Sequence, residues 1–217
     1  MKILLLGATG RTGKQVLKIA VERGYHITCL VRNPSKIKAS DSVTVIKGNP
    51  NNQEDLVSAL QNNSHIISVL NVSRVSDFPW APLRTPKKYM SEVLSKLVAL
   101  SNTDTIKRVA VCSAWGVSET KKDIPFWFRW LIYSSNIGAA YRDHERQEKI
   151  LEESNLDWTI VRPVGLTNTT KDQIVKESFD NTPNPKLTIG RKAVASYLLD
   201  CLKMDSMIGK KVVISKS

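Results

Sequence analysis

Three evenly spaced glycines near the N-terminus constrain the fold more than any other feature of this sequence. The apolar run 3–6 stops at Gly7, and Gly10 and Gly13 follow. Apolar residues then recur at helical spacing up to Gly24, and a second apolar run covers residues 27–31. A strand, a glycine turn, a helix and a strand in this order predict the βαβ unit that binds nucleotides.

Each glycine of this turn is expected to have its own physical role. Gly7 lets the chain turn sharply out of the strand, Gly10 lets the backbone approach a pyrophosphate, and Gly13 lets the helix pack closely on the sheet. The helix N-terminus offers unpaired N–H groups and the positive end of its dipole to phosphates. Two hydroxyls and one positive charge are expected beside it: Thr9, Thr12 and Arg11. We therefore predict a dinucleotide site here and not merely a structural turn.

The residue after the second predicted strand indicates which dinucleotide is bound. A carboxylate there would hold the ribose 2′-hydroxyl of NAD, whereas a cation suits the 2′-phosphate of NADP. Arg32 occupies the position, Ser35 and Lys36 follow, and residues 31–39 contain no carboxylate. Because a guanidinium makes forked contacts with phosphate, we expect NADP(H) in preference to NAD(H). The alternative is an exposed loop arginine without a ligand.

The rest of the chain alternates apolar runs with helical patterns. Strands are predicted at 43–46, 66–70, 109–112, 158–161 and 212–214, and helices at 54–60 (beginning near Asn52), 89–100, 141–153 and 192–202. The helix at 141–153 is charged and its apolar face is thin. This alternation predicts an α/β fold, a Rossmann-like doubly wound parallel sheet with flanking helices. We expect residues 1–217 to form one domain, with substrate-pocket segments at about 115–140 and 165–190.

Composition narrows the class of protein. The formal net charge is +12, but no more than two cations are adjacent, so we expect a solvated basic surface that favours an anionic cofactor and no nucleic-acid partner. Attachment to nucleic acid or to a membrane through this charge is the alternative. The N-terminus lacks the pattern of a secretory signal and no apolar run is long enough to span a bilayer, which predicts a cytoplasmic protein without a transmembrane segment.

The three cysteines do not suggest a disulfide framework or a metal site. Cys29 and Cys112 lie in apolar runs, and Cys201 lies in a helical pattern. Free cysteine behaves as a small hydrophobic residue, so we expect buried, unreactive thiols. The low count and the absence of a CxxC motif argue against structural zinc, and no metal is expected.

In a doubly wound sheet, ligands lie beyond the carboxyl ends of the strands. The residues at those ends form the candidate site: 7–13, Arg32, 48–50, Asn71 with Ser73, 113–115 and 163–166. Asn49 is expected to face the adenine, and Asn71 and Ser73 the ribose or nicotinamide. Turn formation is the alternative role for these residues, because Asn and Ser favour turns. Arg11, Gly13, Ser113 and Pro163 are included among the expected cofactor contacts.

Two features are expected to build the reacting end of the site. A hydride transfer needs a nicotinamide held against its acceptor with water excluded. Ser113, at the end of a predicted strand, is expected to hydrogen-bond the cofactor or the acceptor. The segment 126–133, FWFRWLIY, could be core, wall the pocket, or anchor on a membrane surface. With one charge and no long amphipathic pattern, core or pocket wall is favoured.

The glycine turn, Arg32, the strand ending at Ser113 and the run LEESNLDWTIVRPVGLT (151–167) resemble the atypical short-chain dehydrogenase/reductases. The chain is most similar to their NAD(P)H-binding group, which contains biliverdin-IXβ reductase, also a flavin reductase. The resemblance covers nearly the whole chain. It implies cofactor contacts at Gly7, Thr9, Gly10, Thr12, Arg32, Ser35, Lys36, Asn49, Pro50, Leu70 and Asn71. It further implies an active-site role for Ser113, a histidine of the reductase at His144, and a monomer.

This chain departs from the family at several positions. The main family uses a Tyr-x-x-x-Lys pair, but Tyr141 is followed at that spacing by Glu145, and Tyr133 by Ile137. Further departures are Asn49 for the usual aspartate, Asn71 for a glycine, and Gly165 for the second histidine of the bilin and flavin reductase. Ketone reduction with a tyrosine acid is therefore not expected.

Reduction of a conjugated acceptor of flavin, quinone or bilin type requires less of the protein. Hydride goes to the ring system, and solvent or His144 supplies the proton, since the pKa of a histidine is ordinarily about 6.5. The alternative for His144 is a surface position between Asp143 and Glu145. The alternative function is a non-catalytic NADP(H) sensor resembling the nitrogen-metabolite-repression regulators.

Overall fold

The computed structural model describes residues 1–102 and 104–217. The helices are α1 (Arg11–Glu22), α2 (Gln53–Leu60), α3 (Tyr89–Leu100), α4 (Phe126–Tyr133), α5 (Ile137–Glu152) and α6 (Arg191–Cys201). The strands are β1 (Lys2–Leu6), β2 (His26–Val31), β3 (Val43–Lys47), β4 (His65–Ser68), β5 (Arg108–Cys112), β6 (Trp158–Pro163), β7 (Gly165–Thr167), β8 (Val175–Ser178), β9 (Thr188–Gly190) and β10 (Lys210–Lys216). Short 3-10 helices lie at Pro34–Lys36, Ser118–Lys122 and Asp205–Met207.

The main sheet has the strand order β3-β2-β1-β4-β5-β6-β10-β8. In this spatial order, every strand from β3 at one edge to β10 is parallel to its neighbours. The other edge strand, β8, pairs with β10 in the antiparallel direction. A separate parallel pair, β7 and β9, forms next to the end of β6. The predicted Rossmann-like α/β fold is confirmed, with β8 as an antiparallel exception.

Helices cover both faces of the sheet. Ile3 and Leu5 of β1 pack into one core with α1 and α6, and Leu4 and Leu6 pack into the other with α2, α3 and α5. All four side chains are fully buried. A strand that is covered on both faces is apolar throughout, which explains the unbroken run in β1. The carboxyl ends of β1, β2, β4, β5 and β6 are thereby held at one edge.

Several predicted boundaries differ from the observed ones. The strand predicted at 66–70 ends at Ser68, and the strand predicted to close at Val161 continues through Arg162 and Pro163. The helix predicted at 141–153 begins one turn earlier, at Ile137. Strands β7, β8 and β9 were not predicted, because runs of three or four residues carry too little periodicity to be recognised. The predicted start of α2 at Asn52 is confirmed, since its side chain accepts the Asp55 N–H at 3.0 Å.

Helix α5 has the thin apolar face that its sequence predicts, because much of its buried side is polar. Its inward side buries the polar residues Asp143, His144, Gln147 and Glu148. The Asp143 carboxylate accepts the Met90 N–H at 2.7 Å and so caps the N-terminus of α3 from a neighbouring helix. Charged sequence in α5 therefore reflects buried hydrogen bonding and not only a solvated face.

The environment of the three cysteines makes them unreactive. Burial raises the pKa of Cys29, of Cys112 and of Cys201 to about 12, so the thiols stay protonated at neutral pH. Cys29 and Cys201 are buried as predicted, whereas Cys112 is only partly buried. In the described part of the chain, none of the helices has the length and apolar character needed to cross a bilayer.

Candidate functional site

The turn between β1 and α1 requires glycine for steric reasons. Gly7 has a φ of +89°, which L side chains rarely adopt. A Cβ at Gly13 would lie 2.1 Å from the carbonyl oxygen of Gly7, so any side chain there would separate α1 from the turn. At Gly10 the nearest neighbouring atom would be 3.2 Å from a Cβ, and this position faces the space in front of the helix. The turn leaves no room for a side chain at Gly7 or Gly13, and at Gly10 a Cβ would make a tight contact with the Gly7 carbonyl oxygen.

The N-terminus of α1 has unused hydrogen-bond donors. Its first internal bond runs from the Lys14 N–H to the Gly10 carbonyl at 2.9 Å, and no side chain caps the helix. The preceding N–H groups have no acceptor within the helix, and the first turn contains no acidic residue. These donors and the helix dipole suit a phosphate group.

A cavity of about 640 Å³ opens between this N-terminus and α5. Ten of the residues named in the sequence analysis lie together in its walls: Gly10, Arg11, Thr12, Leu70, Asn71, Ser73, Ser113, Tyr141, His144 and Pro163. The remaining predicted cofactor contacts are not in its walls: Gly7, Thr9, Gly13, Arg32, Ser35, Lys36, Asn49 and Pro50. Apart from the turn residues, these follow β2 and β3, farther along the same edge of the sheet.

The residues after β2 and β3 form an exposed basic surface beside the turn. Arg32 is exposed, and its guanidinium carbon lies 6.0 Å from the centroid of the Tyr89 ring. Ser35 donates its hydroxyl to Asn33 at 2.7 Å. Asn49 has the turn-forming role that was the alternative for it, since its Oδ1 accepts the Asn51 N–H at 3.1 Å. Arg32 and Lys36 are thus both exposed cations in the segment that follows β2.

The mouth of the cavity is basic. Arg11, Arg74 and Arg191 line it together with a single carboxylate, Asp77. The Arg11 guanidinium donates to both oxygens of Asp77, at 2.7 and 2.9 Å, and this lowers the pKa of Asp77. Arg11, expected to contact the cofactor, is therefore paired with the loop between β4 and α3. Both side chains of this pair are largely exposed to solvent.

Ser113 has a different hydrogen-bond partner from the one expected. Its side chain is buried at the end of β5 and donates to Oε1 of Glu148 at 2.6 Å. The hydroxyl hydrogen is thus directed into the protein, while Ser113 still lines the cavity. Its oxygen remains able to accept a hydrogen bond, so the predicted contact of Ser113 with a cofactor or acceptor would be one in which Ser113 accepts.

Glu148 belongs to a buried ionic network that centres on Arg162. The Arg162 guanidinium, 1% exposed, donates to both oxygens of Glu148 at 2.9 and 2.7 Å. It also donates to Glu119 at 2.6 Å, and Ser118 donates to Glu148 at 2.8 Å. Although partial burial works against it, the Arg162 contact lowers the pKa of Glu119 to about 2. The network fixes the end of β5, the middle of α5 and the 3-10 helix at Ser118–Lys122 to β6.

His144 is buried and not on the surface of α5, since only 5% of it is exposed. The Gln147 amide nitrogen lies 2.7 Å from His144 Nδ1 and 3.2 Å from the Cys112 carbonyl oxygen. Because this amide donates to both, Nδ1 is an acceptor and the hydrogen is on Nε2. Burial lowers the pKa of His144 to about 4, although Glu148 opposes the shift. At neutral pH the ring is therefore an uncharged hydrogen-bond donor.

Aromatic residues form another wall of the cavity. Phe128 of α4 and Tyr141 of α5 both line it. Burial raises the pKa of Tyr141, and Glu145, which follows at the family spacing, binds Lys121 at 2.7 Å. Tyr141 is consequently a neutral phenol without a lysine partner at that spacing. Of the segment 126–133, Ile132 is core and Phe128 is pocket wall, but four residues are exposed and have neither of these favoured roles: Phe126, Trp127, Trp130 and Tyr133.

Sequence reasoning missed Arg162 and Glu148. A signal was present, because an arginine inside the apolar run of β6 must be paired if it is buried. Glu148 also follows His144 by four residues, which places both on one face of α5. Arg191, at the start of α6, was missed as well, and no local pattern distinguishes it from other surface cations.

A family model described as NAD(P)H-binding matches residues 7–205. The chain belongs to this family. Its expected membership of the atypical short-chain dehydrogenase/reductases is confirmed. Two curated relatives are both called photosystem II assembly factor Ycf39. The protein of Synechocystis sp. is 25% identical over 97% of this chain and 61% of its own length. That of Trieres chinensis is 26% identical over 84% of this chain and 51% of its own length. This chain therefore spans about half to three fifths of these relatives.

Two solved structures with the same fold align with nearly the whole length of this NAD(P)H-binding chain. ChuY from Escherichia coli O157:H7, described as an anaerobillin reductase, has a TM-score of 0.81 with 17% identity and covers 100% of this chain and 97% of its own. A short-chain dehydrogenase/reductase from Veillonella parvula in complex with NADP has a TM-score of 0.79 with 19% identity, over 99% of this chain and 94% of its own. At such low identity these matches establish the fold.

We predict that Arg162→Met lowers the free energy of unfolding of this NAD(P)H-binding protein by about 3–5 kcal/mol, because Glu148 becomes an unpaired buried charge. Chemical denaturation measures the change. The double variant Arg162→Met/Glu148→Leu should recover a large part of it, since neither charge remains buried. As a control, Arg23→Met breaks a more exposed pair with Asp200 and should cost about 1 kcal/mol or less. Equal losses in the single and double variants would contradict the central role of the pair.

A second prediction concerns acid stability. In the unfolded chain His144 titrates near 6.5, whereas in the fold its pKa is about 4. Between these values the unfolded state binds more protons, so wild-type stability falls as pH decreases from about 6.5 to about 4, by about 3 kcal/mol from this residue. His144→Gln keeps an acceptor for Gln147 and should lack that contribution. The difference in unfolding free energy between the two proteins should therefore change over this pH range, and a constant difference would show that His144 has an ordinary pKa.

Proposed function

We propose that this protein is an NADPH-dependent reductase that transfers hydride to a conjugated acceptor of flavin, quinone or bilin type. The observation that carries the proposal is the composition of the cavity next to the glycine turn. Its inner wall supplies aromatic rings and one neutral imidazole donor, while the tyrosine–lysine acid of ketone reductases is missing at the family spacing. Such a pocket suits a planar acceptor whose added charge is delocalised over the ring system.

The residues of the turn fit a dinucleotide. Gly10 in the cavity wall, the unpaired N–H groups of α1 and the arginines at the cavity mouth are suited to a pyrophosphate. Arg32, exposed beyond β2, would hold the 2′-phosphate. Asn71 and Ser113 in the cavity wall would contact the nicotinamide end.

The reduced cofactor supplies the hydride when it is bound. Phe128 and Tyr141 exclude water from one side of the acceptor and hold its ring plane. The Nε2–H of His144 donates a hydrogen bond to an oxygen or nitrogen of the acceptor and stabilises the charge that develops there. Because burial keeps His144 neutral at pH 7, the proton that completes the reaction comes from solvent.

Two structural relatives support this choice of chemistry. ChuY, which shares the fold, is described as an anaerobillin reductase, and the Veillonella parvula protein was solved with NADP. An anaerobillin reductase on the same fold makes a bilin-type acceptor a reasonable first candidate. The acceptor is proposed to be a small conjugated molecule, and the protein is proposed to act as a monomer.

A non-catalytic NADP(H) sensor is the second candidate. Two observations favour it: the Ser113 hydroxyl hydrogen is held by Glu148, and the lowered pKa of His144 leaves it without a titration near neutral pH. The deciding experiment is the loss of NADPH absorbance with FMN, a quinone and biliverdin, with NADH in parallel and NADP⁺ binding measured by titration. Turnover with NADPH supports the reductase. Tight NADP⁺ binding without turnover of any acceptor contradicts the reductase and supports the sensor.

We predict that Arg32→Asp reverses the cofactor preference. The variant loses a charged contact to the 2′-phosphate and gains a carboxylate for the ribose hydroxyl of NAD, so affinity for NADP⁺ should fall about tenfold or more while affinity for NAD⁺ is kept or improved. Binding titrations of both dinucleotides measure this. Lys38→Asp, an exposed position in the same loop with the same change of charge, is the control. Equal effects of the two variants would mean that the 2′-phosphate is bound elsewhere, for example at Lys36 or Arg11.

A further inference from the structure

Six aromatic side chains are exposed on two neighbouring segments. This aromatic patch consists of Phe78, Trp80, Phe126, Trp127, Trp130 and Tyr133. Phe126 is 75% exposed, Trp127 61% and Trp130 59%. Exposed apolar side chains that occur singly need no explanation, but a contiguous group of large rings marks a surface for interaction.

The two segments of the aromatic patch are joined by hydrogen bonds. The indole N–H of Trp80 donates to the carbonyl of Ser134, just after α4, at 3.0 Å. The Asn136 side chain donates in turn to the Trp80 carbonyl at 3.0 Å. The loop that carries Phe78 and Trp80 is therefore fixed against the C-terminal end of α4, and the rings belong to one surface.

Helix α4 is amphipathic in an unusual way, because aromatic residues occupy its outward side. Trp127 and Trp130 are exposed, while Phe128 faces the cavity and Ile132 is buried. The helix thus has its aliphatic anchor inside and its indole rings outside. Tryptophan and tyrosine favour the boundary between water and hydrocarbon, where an apolar ring and a polar edge are both satisfied.

Cations lie beside two rings of the aromatic patch. The Arg129 guanidinium carbon lies 6.0 Å from the centroid of the Phe126 ring, and Lys121 Nζ, which also pairs with Glu145, lies 6.0 Å from that of Tyr133. Segments 74–88 and 118–136, which carry the patch, contain seven lysines and arginines and three carboxylates. One of these carboxylates, Glu119, is directed inward to Arg162. The surface around the rings is therefore basic, in a chain whose formal net charge is already +12.

We infer that the aromatic patch binds the surface of an anionic lipid bilayer. Exposed indole rings enter the headgroup region, and the surrounding lysines and arginines attract anionic headgroups. A second copy of the chain is a poorer occupant, because two basic surfaces would face each other. The inference does not depend on the proposed reductase activity.

Bilayer binding would also orient the cavity. Arg74 and Asp77, beside Phe78, line the cavity mouth, and Phe128 of α4 lines its wall. A protein attached through the aromatic patch would therefore present this cavity close to the lipid headgroups. An acceptor dissolved in the membrane would have a short path to it.

Co-sedimentation of the full chain with vesicles tests the inference. We expect binding to vesicles of phosphatidylcholine with phosphatidylglycerol, weaker binding to phosphatidylcholine alone, and further weakening at high salt. Trp127→Ser/Trp130→Ser should lower the partition coefficient about tenfold or more, because two buried rings are lost from the lipid contact. Val57→Ser/Ile174→Ser, which removes exposed apolar side chains outside the patch, is the matched control and should bind as wild type. Thermal unfolding of each variant establishes that it is folded.

Charge-reversal variants test how much the cations contribute to vesicle binding. Arg129→Glu should weaken binding to the anionic vesicles about fivefold or more. Lys203→Glu makes the same change of charge at a lysine that also lies over a ring, 5.0 Å from the Tyr25 centroid, but outside the two segments of the patch. Its effect should be smaller. Equal effects of Arg129→Glu and Lys203→Glu, or unchanged binding of the double tryptophan variant, overturn the inference. So does concentration-dependent self-association that the tryptophan variant abolishes, since the patch would then be an interface between copies.

Discussion

The buried ion pair between Arg162 and Glu148 holds in place the elements beside the cavity. A guanidinium and a carboxylate that are both removed from water are tolerated only when each is fully paired. Arg162 meets this requirement through both oxygens of Glu148 and through Glu119, and Ser113 and Ser118 supply the remaining hydrogen bonds. As a result one side chain of β6 fixes three other elements at the carboxyl edge of the sheet.

The same network determines which chemical groups face the cavity. It orients α5 so that Tyr141 and His144 face the cavity, but it also directs the Ser113 hydrogen away from it. Burial leaves His144 neutral and raises the pKa of Tyr141, so neither is tuned to exchange protons at neutral pH. The protein therefore contributes shape, hydrogen-bond donors and positive charge, which is consistent with chemistry that belongs to a bound dinucleotide.

Features that depend on neighbouring residues could be predicted from the sequence. The βαβ unit at 1–32 is defined by neighbouring residues, and the steric requirement at Gly13 is visible in its spacing from Gly7. The sequence did not predict the ion pair between Glu148 and Arg162, because their pairing depends on how α5 packs against β6. It was misleading for 126–133, where a core or pocket-wall role was favoured but tertiary placement leaves most rings in solvent. Local patterns specify elements, whereas polar pairing and exposure are specified by packing.

The most direct test of the proposed site is a crystal structure of the NADP⁺ complex. The pyrophosphate should lie at the N-terminus of α1, the 2′-phosphate should contact Arg32, and the nicotinamide should enter the cavity lined by Phe128, Tyr141 and His144. A nicotinamide ring outside this cavity, or a dinucleotide bound away from Gly10, would contradict the proposed site.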